Sequence, residues 1–310
     1  NAVDTSLIEG SGPGGRVIEK DVRQVIKGRP KMTSLAKKLA AEKGAEPALA
    51  GSGIGGRARA SDMEAPSGRS ITATGIPVQG DFEDRKLSNV RKLIARSMHA
   101  SLQNSAQLTH HLGADARRIL ALRKEFKAAL EEGRVDNNIT LNDLVCFAVI
   151  KALKKFPNVN SHFMGDSLRV FNKVHLGLAV DTERGLMVPA IRDADDLSIE
   201  GLANRMREAA EACRAGSVNP DLLSPEAASF TVSNLGNYGV EMFTPVINLP
   251  QSAILGVNTI IPRPKDLGDG VYAFVPYMGL SLTYDHRALD GGEATRFLKQ
   301  IAIEIETLEV

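Results

Sequence analysis

Two cysteines in 310 residues, Cys146 and Cys213, are too few for a disulfide framework. Both lie within apolar helical patterns and have no clustered partners for a metal site, so they read as core thiols in a reducing compartment. Charge of either sign is not in excess: 38 Lys and Arg face 37 Asp and Glu, and the net +1 gives no reason to expect nucleic acid. No apolar run approaches the ~18 residues of a membrane span, and no signal-peptide pattern is visible. Two glycine-rich stretches, Gly10-Ser-Gly-Pro-Gly-Gly-Arg16 and Gly51-Ser-Gly-Ile-Gly-Gly-Arg57, lack both a preceding strand and a closing Lys-Ser/Thr, which excludes a nucleotide-binding reading. A chain that opens on Asn1 rather than Met is expected of a processed or truncated product.

What is present is the composition of an ordinary soluble enzyme, 43% hydrophobic, with room for one large domain and some small modules. The two glycine-rich stretches form an imperfect internal repeat, running on through Asp21 in the first copy and Asp62 in the second. They fit tight loops joining short helices. Thr33 to Gly44 reads as one such helix, ended by Gly44, and Glu19 to Ile26 as another. From Glu64 to about Asp84, Pro, Gly, Ser and Thr dominate and no periodicity lasts, which marks a flexible linker.

Beyond the linker the elements become longer. Leu87, Val90, Ile94, Met98 and Leu102 share one helical face, and Asp115 to Glu132 predicts a second helix with Ile119, Leu122 and Phe126 on its apolar side. Thr140 and Asp143 stand at capping-box spacing before a third helix, which Pro157 terminates. Val174, Leu176, Leu178 and Val180 alternate as a strand, residues 181–185 turn, and Leu186 to Ile191 returns as another strand. Ser198 caps a fourth helix carrying Leu202, Met206 and Cys213 inward. Ser229-Phe-Thr-Val-Ser-Asn-Leu-Gly236 is a further strand. After it, Asn248 begins a tight turn, and the rest of Phe243 to Gly256 reads as buried strand.

The C-terminal stretch Ser281-Leu-Thr-Tyr-Asp-His-Arg-Ala-Leu-Asp-Gly-Gly292 joins an alternating strand, Tyr277 to Thr283, to an amphipathic helix carrying Ala294, Phe297, Leu298, Ile301, Ile305 and Leu308. His286 therefore sits on a turn with rigid elements on both sides, which suits a base that must be aimed. On residues alone, His286 and Asp290 are either a surface pair sharing a helix N-terminus, with Asp290 as the cap, or part of a catalytic site. Likewise Thr231-Val-Ser-Asn-Leu-Gly236 is either turn chemistry or a second chemical element.

Tyr284-Asp-His-Arg-Ala-Leu-Asp-Gly291 resembles the signature of the dihydrolipoamide acyltransferases, the E2 components of 2-oxoacid dehydrogenase complexes, and of their relatives the chloramphenicol acetyltransferases. The resemblance runs from about Leu87 to Val310. It implies an α/β fold with a mixed sheet packed by helices, assembled as homotrimers that build a larger symmetric core. It also implies His286 as general base, Ser233 as the hydroxyl that donates to the oxyanion, and Arg91 reaching toward the motif aspartate Asp290. Asp290 is expected to hold the local backbone and that arginine. The N-terminal repeat is similar to the peripheral subunit-binding modules of the same enzymes, small all-α units that hold E1 or E3 partners through basic side chains. Arg16 and Arg57 match the loop arginine, and Lys37 and Lys38 follow Ala36 where a basic residue is usual.

The expected organisation is a partial binding module at 1–28, a second at 32–64, a linker at 65–84 and the acyltransferase domain at 85–310. The implied reaction moves an acyl group, acetyl by preference, between S-acyl-dihydrolipoyllysine and coenzyme A in a pyruvate or acetoin dehydrogenase-type complex. Branched-chain or succinyl groups, a stand-alone antibiotic acetyltransferase and a non-catalytic E3-binding scaffold remain alternatives. No Asp-Lys-Ala hairpin occurs, so the lipoyl domain is expected to be supplied from outside this sequence. No metal, nucleic acid or membrane is implied. The implied location is the bacterial cytoplasm or the mitochondrial matrix.

Overall fold

The computed structural model describes residues 16–20, 31–43, 57–60 and 82–310, in two compact units, Asn1–Asp84 and Arg85–Val310. In the first unit the predicted helix after Thr33 is present as α1 (Ser34–Lys43), with the Thr33 hydroxyl accepting from the Ala36 N–H at 3.3 Å. Met32 pairs in parallel with Ala58 through two backbone hydrogen bonds of 2.9 Å, Thr33 to Ala58 and Ala58 to Lys31. Ala36 and Ala58 are fully buried, whereas Arg16, Lys37, Lys38 and Arg57 are exposed. Of the predicted helix 19–26 only Glu19 and Lys20, both helical, are described; the glycine loops preceding Arg16 and Arg57, Gly44 and nearly all of the linker lie outside the described residues.

The second unit has the expected α/β architecture. Its helices are α2 (Asn89–Gln103), α3 (Arg117–Glu131), α4 (Leu141–Lys155), α5 (Ile199–Ala215) and α6 (Gly291–Glu306). Its strands are β1 (Gln107–Asp115), β2 (Ser161–Phe163), β3 (Leu168–Val170), β4 (Leu176–Leu178), β5 (Ala190–Ile191), β6 (Phe230–Asn234), β7 (Ala253–Asp266) and β8 (Tyr272–Asp285). Six of them form one mixed sheet in the order β1-β8-β7-β6-β4-β5, and β2 pairs with β3 separately. Within the large sheet β4–β6 and β6–β7 are parallel and the remaining pairs antiparallel.

The core lies against one face of this sheet. Phe230, Val232, Leu255, Val257, Leu280, Leu282 and Tyr284 alternate inward from the strands and join Phe297, Ile301 and Ile305 of α6 in one continuous buried cluster with Leu144, Val145 and Ala148 of α4. Phe297 anchors it, with Phe156 and Phe230 each 5.7 Å away between ring centroids. The capping predictions hold. Thr140 and Asp143 form a reciprocal capping box on α4, and the Ser198 side chain accepts from the Gly201 N–H at the start of α5.

Two expectations need correction. The helix expected from Asp115 starts at Arg117, because Asp115 ends β1, a strand the sequence reading did not foresee. The Asp115 carboxylate is buried and bridged by Arg117 at 2.7 Å and Lys265 at 2.8 Å, and the Arg117 hydrogen bonds, outweighing burial, hold its carboxyl below the usual range. The strand expected before Gly256 begins only at Ala253, after a turn closed by the Gln251 N–H on the Asn248 carbonyl at 3.0 Å. The predicted apolar face of α2 is present but open to solvent, with Val90 and Leu102 40% and 56% exposed.

Replacing Thr140 with alanine removes one side of the capping box and is expected to lower the unfolding free energy by about 1 kcal/mol. Urea titration of the protein measures it, and an unchanged midpoint would show that the cap contributes nothing.

Candidate active site

Strand β8 brings the motif to its place. Met278, Leu280, Leu282 and Tyr284 point into the core, while Ser281, Thr283 and Asp285 face the opposite side and are also buried. The strand ends at Asp285, and the Ala288 and Leu289 N–H groups fold back onto its carbonyl at 2.9 and 3.1 Å. His286 is the first residue beyond it. Its N–H donates to the Ala106 carbonyl at 2.8 Å, fixing its backbone, while the side chain is exposed.

The Asp285 side chain is what holds this turn. Its carboxylate has no solvent exposure, and it accepts from the Ala106 N–H at 3.2 Å, the Arg287 N–H at 3.0 Å and the Arg287 guanidinium at 2.7–3.1 Å. Burial alone would raise this carboxyl, but the Arg287 and Ala106 hydrogen bonds outweigh it and hold the group below the usual carboxylate range. Arg287 also donates to the Asn104 carbonyl at the end of α2, and its guanidinium carbon lies 4.4 Å from the Phe163 ring centroid. One side chain thus ties β8, the α2–β1 junction and β2 together.

Asp290 is the N-cap residue of α6, with extended backbone (φ −79°, ψ 150°), yet its side chain makes no capping bond and is exposed. Arg91, in the first turn of α2, is exposed and forms no ion pair with Asp290 within the chain. Within the chain it is Asp285, not Asp290, that holds an arginine, Arg287.

Ser233 lies on β6, opposite Gly256, which in turn faces Ser281 on β8, itself opposite His111 on β1. Gly256 lets the Phe243 ring pack against β7, since a Cβ there would stand 2.7 Å from that ring and force it to move. Turn chemistry accounts for part of the Thr-x-Ser-Asn-Leu-Gly run: the Asn234 carboxamide accepts from the Gly236 N–H at 2.9 Å and donates to Asn142 at 2.8 Å. Gly236 approaches the Asn258 carbonyl too closely for any side chain, with 2.9 Å to a notional Cβ. The Ser233 hydroxyl, by contrast, makes no hydrogen bond among the described residues. It lines a cleft of about 820 Å³ with Asn142, Asp181, Arg207, Arg214 and Tyr238.

Within one chain Ser233 and His286 are not brought together. Two strand spacings and more than four residues of β8 separate them, roughly 15–20 Å. The sequence reading also missed several polar residues on these strands. His111 bonds Ser281 at 2.8 Å, and Asn258 donates to the same hydroxyl at 2.9 Å; burial, with His110 nearby, lowers the His111 imidazole. His110 bonds Tyr284. The only local signal for them was the adjacent pair of histidines in a segment without clean alternation. Among the described residues no group of His, Cys, Asp or Glu could hold a metal ion, and no helix is long and apolar enough to cross a membrane.

Comparison with known proteins sets this geometry in context. Residues 79–310 match the family described as 2-oxoacid dehydrogenases acyltransferase (catalytic domain). The chain is 35% identical over 304 residues to the dihydrolipoyllysine-residue acetyltransferase component of the acetoin cleaving system of Bacillus subtilis, covering 98% of this chain and 65% of that protein. It is 37% identical to the acetyltransferase component of the pyruvate dehydrogenase complex of Mycobacterium bovis, covering 89% of this chain but 54% of that one. The chain therefore spans a little over half to about two thirds of the length of these relatives. Among solved structures, the dihydrolipoamide acetyltransferase of Azotobacter vinelandii superimposes with a TM-score of 0.69 at 33% identity, covering 74% of this chain and 93% of the other.

Arg287→Met leaves Asp285 buried with only backbone donors, and is expected to destabilise the protein by about 2 kcal/mol, below the usual loss for a buried pair because Arg287 is 42% exposed. Because the folded-state carboxyl is held below its ordinary value of about 3.9, its contribution is fully present above that pH and fades as pH falls through the lower, folded value. Urea titrations at neutral and acid pH test this: the deficit of the variant should be largest near neutrality and should shrink as the pH falls below about 3.9, where the parent loses the Asp285 contribution.

Proposed function

Because the chain belongs to the family of 2-oxoacid dehydrogenase acyltransferase catalytic domains, we propose that it transfers an acyl group between S-acyl-dihydrolipoyllysine and coenzyme A. Acetyl is the favoured group, as in the acetoin and pyruvate relatives. The observation that carries this reading is the pairing of an imidazole whose backbone is locked but whose ring is exposed, His286, with a hydroxyl that has no hydrogen bond within the chain, Ser233. In the Azotobacter acetyltransferase a serine, a histidine and an asparagine four positions after the histidine are the residues studied for catalysis. Ser233, His286 and Asp290 follow that pattern, with an aspartate in the third place.

The chemistry follows from thioester exchange. A thiol with a pKa near ~8.5 is only a few per cent thiolate at neutral pH, so a base that takes its proton as the S–C bond forms accelerates attack. His286 takes that proton. The carbonyl oxygen becomes an oxyanion, and the Ser233 hydroxyl donates to it. Collapse breaks the original C–S bond, and the departing thiolate recovers the proton from the imidazolium. No acyl-enzyme intervenes, because both substrates already carry sulfur nucleophiles.

In this reading the base of one protomer works with the serine of an adjoining one, a reading supported by the separation of Ser233 from His286 within one chain. The exposed apolar stripe of α2 supports such contacts, and a homotrimer building a symmetric core provides them. In that assembly Arg91 and Asp290, unpaired with each other within the chain, meet across the interface. The cleft beside Ser233, about 820 Å³ and flanked by Arg207 and Arg214, has the size to admit coenzyme A, with the lipoyl arm arriving from the other side. The exposed Arg16, Lys37, Lys38 and Arg57 serve as basic contacts for acidic surfaces of E1 or E3 components.

Acetyl transfer from acetyl-CoA to free dihydrolipoamide tests the reading. His286→Ala is expected to lower kcat by ~10² to 10⁴ and Ser233→Ala by ~10² to 10³. Refolding the two inactive variants together should restore roughly a quarter of the sites, since a random mixture pairs an intact His286 with an intact Ser233 that often. No recovery would place both residues in one protomer's site or remove one from it, and an inactive parent would favour the scaffold alternative.

A further inference from the structure

Strands β1 and β8 run antiparallel with His110 opposite Leu282 and Leu108 opposite Tyr284, so His110 and Tyr284 are diagonal neighbours on the core side of the sheet. Their rings meet edge to face, 5.2 Å between centroids at 71°. Nδ1 of His110 lies 2.9 Å from the Thr295 hydroxyl in α6, and that hydroxyl donates to the Gly291 carbonyl at 2.7 Å. A hydroxyl has one proton to give, so Thr295 must accept from His110, which places the hydrogen of the neutral imidazole on Nδ1. Nε2 is then an acceptor, and the Tyr284 hydroxyl, 3.3 Å away, donates to it. Burial and the charge of Asp290 both raise the Tyr284 phenol, which keeps its proton on. The direction of the chain is thereby fixed: Tyr284 to His110 to Thr295 to the Gly291 carbonyl.

The donor that begins these hydrogen bonds stands beside the motif histidine. The Tyr284 ring flanks His286 at 5.6 Å and 44°. All three side chains converge on the first turn of α6: the point where a Cβ on Gly291 would stand is 3.2 Å from the Tyr284 hydroxyl and 3.9 Å from both His110 Cε1 and His286 Nε2. The His286 backbone is tied by its hydrogen bond to Ala106, but nothing in that bond sets the side-chain torsions, and the ring of Tyr284 is the wall on which they rest.

We propose that His110 is a positioning residue for the acyl transfer: by holding the Tyr284 hydroxyl it fixes the tyrosine ring, and through that ring it sets the orientation of His286. The proposal rests on His286 being the general base. A catalytic group displaced by about an ångström, or deprived of the partner that orients it, commonly loses ten- to a hundred-fold in rate.

The test is steady-state acetyl transfer to dihydrolipoamide by the full chain, with His286→Ala measured alongside. His110→Leu should lower kcat roughly ten-fold or more while the KM values for acetyl-CoA and dihydrolipoamide stay within about two-fold. His110→Gln, which keeps an acceptor near the Nε2 position, should recover most of the rate. Tyr284→Phe, a smaller change that keeps the ring and serves if His110→Leu does not fold, should show the same kcat loss, and the double variant should lose no more than either single one. An unchanged kcat in His110→Leu, losses that add in the double variant, or no recovery in His110→Gln would overturn the positioning role. If His286→Ala itself left the rate unaltered, the general-base reading would fail first, and that outcome is separate from the others.

Discussion

A carboxylate with no solvent exposure stands at the end of the longest antiparallel pairing in the fold, and the rest of the arrangement depends on its being satisfied. Asp285 could not remain charged in that position without donors, and a buried unpaired carboxylate would cost several kcal/mol. Arg287, two residues on, supplies them, and can do so only if the chain turns sharply after the strand. The same turn presents the His286 ring outward and starts α6 at Gly291. Arg287 in turn reaches the end of α2 and the ring of Phe163, so one ion pair joins elements that lie far apart in the chain.

The sheet carries two kinds of surface. One face is apolar and buried beneath α4 and α6, where the rings of Phe230 and Phe297 meet. The other is unusually polar for a buried face: Thr109 bonds Thr283, Asn258 and His111 share Ser281, and Thr231 bonds Gln251. Hydrogen bonds such as these offset most of the cost of burying polar groups there, although the Asn258 carboxamide oxygen has no partner among the described residues. Ser233 belongs to the same row as Ser281 and His111 but makes no such bond, which leaves its hydroxyl available for chemistry.

Particular residues show how much was readable beforehand. The 281–292 motif, the amphipathic helix after it, the capping pair Thr140 and Asp143, the Ser198 cap and the return at 181–185 all depend on neighbours a few positions apart, and each is present in the fold. Strand β1 was not legible, because Gln107-Leu-Thr-His-His-Leu-Gly-Ala-Asp115 lacks clean alternation and becomes a strand only by lying against β8, about 170 residues away. The exposed stripe of α2 could not be inferred either, since periodicity says that a helix has an apolar face but not what covers it.

By itself the sequence determined which local elements form and where the 281–292 motif sits between a strand and a helix, because capping, turn formation and amphipathic spacing are settled within one or two turns of chain. Only the tertiary structure decided that Asp285 rather than Asp290 takes up an arginine within the chain, that His110 stands behind Tyr284, and that Ser233 and His286 lie at separate places on the sheet. Those outcomes are fixed by strand order and register, which are set by pairings between segments a hundred or more residues apart, and no pattern of nearby residues encodes them.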